Sequence, residues 1–177
     1  MTSDNSVSRN PTAIDAIAEE WVGTLADLEP NVAIWIGIPG RYEEYGDASP
    51  AGHELLAAEG KKVLAKLDKV EPADDVDWVT KTDMTNELTL DVEAFEAGLW
   101  KRDLNVIASP AQGFRDIIDL MAHDTVEDWA TIAGKLSNLP VAMDGYIETL
   151  RLGISHGTVP ARRQVTEVLA QAKKQAA

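Results

Sequence analysis

The sequence contains no cysteine among its 177 residues, which excludes disulfides, thiolate zinc sites and cysteine nucleophiles together. Such a chain suits the cytoplasm, its expected location. Histidine is nearly as scarce, with only His53, His123 and His156 available as imidazole ligands or bases. Positive charge is in short supply too. Sixteen Lys and Arg face thirty Asp and Glu, for a formal charge of −14. That field repels phosphate backbones and anionic membranes, so nucleic acid and membrane surfaces are excluded as expected partners. No long apolar run exists. The best one, near Val32 to Ile38, falls far short of the ~20 residues of a spanning helix. Met1 to Asn10 is polar and without the apolar stretch of a secretory signal, and residues 1–10 are expected to be a disordered tail.

What is present reads as a soluble globular protein: 45% hydrophobic and 26% charged residues. A chain of this length can bury roughly 70% of its unfolded surface within one domain. We expect an all-α fold, with about seven amphipathic helices in a single irregular bundle over residues 11–177. Ile14, Ile17, Trp21, Leu25 and Leu28 step by three and four, the stripe of a first helix that ends before Pro30. Residues 31–49 read as a long apolar loop between the first two helices, pinned by Trp35. Their β-branched residues suit a strand, but nothing of like quality can pair with one.

Ser49-Pro50 opens a second helix, with Leu56, Val63, Leu67 and Val70 inward. Asp74, Asp75 and Asp77 fit the start of a third, where carboxylates meet the positive end of the helix dipole. It runs through Met84, Leu88, Val92, Phe95 and Leu99 to Lys101-Arg102. Ser109-Pro110 begins a short fourth helix, and Thr125 caps a fifth with Val126, Trp129, Ala133 and Leu136 inward. A corner at Asn138 to Pro140 leads to a sixth striped by Met143, Ile147, Leu150 and Ile154. Thr158 to Pro160 starts the last. The five tryptophans fall mainly at positions read as inward and are expected in the core.

Most chemical motifs fail on inspection. A zinc helix needs two histidines four apart with a glutamate after the first. His53-Glu54-Leu55-Leu56-Ala57 starts that way, but Ala57 cannot coordinate a metal, leaving an exposed His-Glu pair. His123-Asp124 has the form of a base with its orienting carboxylate, yet no nucleophile can be placed against it, and it reads as a helix corner. His156 reads as a turn residue. The acidic run at Asp74 lacks the glycine and closing glutamate of a calcium loop. Gly37 to Gly40 lacks the lysine and flanking strand of a phosphate loop. Arg162-Arg163 is a local basic spot on a solvated face.

Several ordered landmarks carry a family resemblance: Glu19-Glu20-Trp21, the Pro30 to Gly40 loop with its Gly-Ile-Pro-Gly, and Asp47 to Pro50. Further along come Glu71 to Asp75, Arg102 to Pro110, Thr125 to Trp129, Leu150 to Ile154, and Arg162 to Val165. From about Pro11 onward the chain resembles the N-terminal region of the bacterial family catalogued as domain of unknown function 885. The resemblance implies a helix-rich, zincin-like metallopeptidase architecture, with this region forming one wall of a substrate channel. It also implies a zinc-bearing helix downstream of Ala177, so no metal or cofactor is expected in the present chain. Where the family often has an acidic residue after the arginine of its Leu-Arg-x-Gly stretch, this chain has Leu152.

The resulting expectation is a non-catalytic helical N-terminal module, or a truncated form, of a zincin-like peptidase. Its partner would be the remainder of that polypeptide or another protein, with self-association through exposed apolar surface. The alternative is a stand-alone acidic helical interaction module. Asn105, Ser109 and Gln112, polar residues at an apolar corner, are the expected channel-facing positions.

Overall fold

The computed structural model describes residues 9–175 and is all-helical, with no strand among the described residues. Helix α1 spans Ala13–Leu28. Its start is fixed by a capping box, in which the Thr12 hydroxyl accepts from the Asp15 amide and the Asp15 carboxylate accepts from the Thr12 amide. Helix α2 is Pro30–Ile36, α3 is Pro50–Leu67 and α4 is Asp75–Glu96. Ser49 and Asp74 cap α3 and α4 through their side chains. A 3-10 turn at Leu99–Arg102 follows, then α5 (Pro110–Asp116) and a second 3-10 turn at Ile117–Leu120. Helix α6 is Val126–Ser155, opened by the Thr125–Asp128 capping box, and α7 is Arg162–Gln175.

The core lies where α1, α3 and α4 meet. Ile17, Val63, Leu67 and Leu88 form its buried cluster, flanked by Trp21, Leu64, Val70 and Met84. Gly60 is buried on the face of α3 that packs on α4, beside Leu88. The starts of α1 and α4 are also tied together by charge. Asp77, 1% exposed, accepts from the Thr12 hydroxyl (2.7 Å) and the Ala73 amide (2.9 Å) and pairs with Arg9. Arg9 also binds Asp15 and Asp74, holding both carboxyls below the usual range. The polar tail expected over residues 1–10 falls outside the described residues as far as Ser8, while Arg9 is anchored in this cluster.

Three expectations need correction. The apolar stretch after Pro30 is a helix, not loop: Pro30 occupies its first turn, and Gly37 closes it in the left-handed conformation (φ 70°). The irregular part is only residues 38–49. Trp35 does not pin it, because its side chain is exposed.

Secondly, the fifth and sixth helices are one. Pro140 lies inside α6 and removes the intrahelical donor to the Leu136 carbonyl. Leu136 and Pro140 both lie on the exposed side, where water can serve that carbonyl.

Thirdly, the face of α6 read as inward points outward. Its buried positions are Ile132, Lys135, Ala142, Tyr146, Thr149 and Gly153. Val126, Trp129, Leu136, Met143, Ile147 and Ile154 are all exposed. Trp35, Trp78 and Trp129 are each more than half exposed, so three of the five tryptophans lie outside the core.

The inward face of α6 is polar for a reason. Residues 38–49 have no ladder partner, and their carbonyls need donors. Lys135 Nζ donates to Asn31 Oδ1 (2.8 Å), the Tyr42 carbonyl (3.1 Å) and the Glu44 carbonyl (2.7 Å). It also sits 4.2 Å from the Tyr45 ring centroid. Asn138 donates to the Glu43 carbonyl, Thr149 to Ala48 (2.7 Å) and Tyr146 to Asp103 (2.6 Å). At Gly153 any Cβ would collide with the Lys101 carbonyl oxygen, so glycine permits the contact between α6 and the first 3-10 turn.

Candidate functional site

A cavity of 380 Å³ opens between α1, α3 and α4, above the buried cluster. Its size is that of a small-molecule site. The first turn of α3 carries His53 into its wall, and the turn after α4 brings Trp100 against it. The two rings lie 4.8 Å apart, and Trp100 stacks on Phe95 at 5.7 Å with 6° between planes. The Trp100 indole N–H donates to the Phe95 carbonyl (3.1 Å), which fixes the ring. Trp21, Leu56 and Met84 complete the apolar wall, and Asp83, Glu87 and Asp91 stand along one edge.

His53 is therefore not the exposed residue expected of a first helical turn. It is half-buried, and burial lowers its pKa, opposed by the charge of Asp47. Asp47, whose Oδ1 accepts from the Ser49 amide (2.9 Å), also bears on Glu29. Glu29 lies at the α1–α2 corner against Gly46, and burial, reinforced by Asp47, pushes its carboxyl up to about 7. Asp47 thus bears electrostatically on both Glu29 and His53. No sequence signal points to this influence, because the path of residues 38–49 decides where Asp47 lies.

The other two histidines lie elsewhere. His123 contacts the Met121 carbonyl through Nδ1 (3.3 Å) and meets the Trp129 ring edge-on. His156 caps the C-terminus of α6. Among the described residues, no group of three or more His, Asp or Glu side chains is arranged to hold a metal ion. The described residues do not fit a zinc centre.

Asn105, Ser109 and Gln112 are brought together. Ser109 Oγ donates to Gln112 Oε1 (2.7 Å), and Gln112 Nε2 donates to the Asn105 carbonyl (3.0 Å) and to Gln171 Oε1 (2.8 Å). Asn105 Oδ1 accepts from the amides of Ile107 and Ala108. These polar atoms fasten the start of α5 to α7. Lys135, the most demanding polar group of the interior, carries no signal in sequence, since one lysine between apolar residues reads as a surface position. Burial pushes its ammonium down to about 8, opposed by Glu43.

No helix among the described residues is long and apolar enough to cross a membrane. No curated protein matches the chain. A family model described as bacterial protein of unknown function (DUF885) matches residues 30–177, from α2 through α7. With most of its length matched, the chain belongs to that family.

Proposed function

We propose that this chain is a non-catalytic helical module of a zincin-like protein, and that it docks through α6 onto a helix of the catalytic body. One observation carries the reading. Val126, Trp129, Ala133, Leu136, Pro140, Met143, Ile147, Leu150 and Ile154 alternate in steps of three and four along α6. All but Leu150 are exposed, Val126 by 80% and Ile154 by 67%. A strict three-four alternation is the seam that a partner helix fills by knobs-into-holes packing. Contiguous apolar surface of this kind marks an interaction site.

The resemblance to zincin-like peptidases supplies the identity of the partner. In this reading Asn105, Ser109 and Gln112 brace the channel wall through their contact with α7.

The test combines association with metal content. In light scattering and dye binding, the isolated chain should self-associate or bind an apolar dye. Met143→Asp with Ile147→Asp should abolish both while leaving the helical circular dichroism intact. If the double variant unfolds the chain, the stripe is core and the docking reading fails. Stoichiometric zinc with peptide hydrolysis by the isolated chain would overturn the non-catalytic role.

A further inference from the structure

A second surface, away from the α6 stripe, supports a different conclusion: we propose that the groove between α1, α3 and α4 binds a small organic cation, its apolar body against Trp21 and Trp100 and its positive head beside Asp83, Glu87 and Asp91. The volume of 380 Å³ admits a ligand of that class but not a packed helix. Trp21 and Trp100 put aromatic rings in the wall, and a ring quadrupole attracts a cation.

Charge complementarity supplies the sign of the head group. Asp83, Glu87 and Asp91 recur every four residues along α4, so their carboxylates are neighbours on one side of the helix. Like charges at that spacing destabilise a helix. Three other acids on these helices are paired with lysine: Glu20 with Lys66 (2.7 Å), Glu59 with Lys62 (2.6 Å) and Glu96 with Lys61 (2.6 Å). Among the described residues no such pair reaches Asp83, Glu87 or Asp91. His53, with its pKa lowered by burial, brings little positive charge of its own into the wall at neutral pH. A chain of net charge −14 would also repel an anion from this opening.

The experiment titrates the full chain with benzyltrimethylammonium, its uncharged carbon isostere neopentylbenzene, and phenylacetate, read by tryptophan fluorescence and calorimetry. The cation should bind once per chain, more weakly as salt rises, and phenylacetate should not bind. Asp83→Asn, Glu87→Gln and Asp91→Asn combined should weaken the cation at least tenfold and leave neopentylbenzene unchanged. Ala57→Leu, which fills the groove and spares the carboxylates, should remove both ligands without changing the circular dichroism. Equal affinity for cation and isostere, or no effect of the triple substitution, would reduce the groove to an apolar pocket and overturn the proposal. So would the absence of cation binding to the folded chain. Self-association through α6 is read separately and does not enter these outcomes.

Discussion

In the α1–α3–α4 layer, Ile17, Val63, Leu67 and Leu88 meet one another and are buried. Along α6, Trp129, Leu136, Met143 and Ile147 keep an equally regular spacing and stay exposed. Both stripes satisfy the periodicity that marks an amphipathic helix. Their fates differ because α6 faces an irregular segment whose carbonyls require donors, and a polar inward side serves that need better than an apolar one. Periodicity reports that a helix has an apolar face. It does not report whether the fold supplies something to cover it.

The contrast is sharpest in substitutions that ought to behave alike. Leu67→Ala, at a fully buried site, is expected to cost about 2–5 kcal/mol in denaturant unfolding, from lost transfer energy plus the cavity left behind. Lys135→Met keeps the aliphatic stem but leaves Asn31 Oδ1 and two backbone carbonyls without their donor. A cost of about 2–3 kcal/mol should follow, with faster hydrogen exchange over residues 38–49. A small effect there would mean that the polar face of α6 does not hold the segment.

Glu29 offers a pH-resolved version of the comparison. The folded state keeps its proton up to about pH 7, while the unfolded chain releases it near 4.5. Its contribution is therefore fully present below pH 4.5 and declines as pH rises through 7. Between pH 5 and 8 the wild type should lose about 2 kcal/mol that Glu29→Gln, neutral throughout, does not lose. Parallel stability curves for the two proteins would show that Glu29 is ionised in the fold.

The smallest change belongs to the exposed stripe. Ile147→Asp, outside the core, should alter monomer stability by no more than about 0.5 kcal/mol while reducing self-association. A core-sized penalty there would erase the distinction between the two regions.

Much of the helical layout was legible before folding. Ser49-Pro50 and Ser109-Pro110 sit where α3 and α5 begin, and Thr125 and Asp74 cap α6 and α4. The errors share a cause. The β-branched residues after Pro30 suited a strand with nothing to pair with and so read as loop, but contact with α1 and the 117–120 turn holds them helical. Pro140 suggested a corner, although its missing donor costs little on the exposed side. Of the aromatic site, only His53 stood out in the sequence, and for a zinc motif that Ala57 breaks. Its contact with Trp100 depends on chain crossings that no local pattern encodes.

By itself the sequence determined the fold class, the starts of α1 and of α3 to α6, and the acidic character, because capping, periodicity and charge are properties of neighbouring residues. Only the tertiary structure decided which face of α6 is covered, that Lys135 lies inside, and that His53 meets Trp100. Those outcomes depend on where distant carbonyls and side chains lacking local partners come to rest, and burial is settled by that meeting.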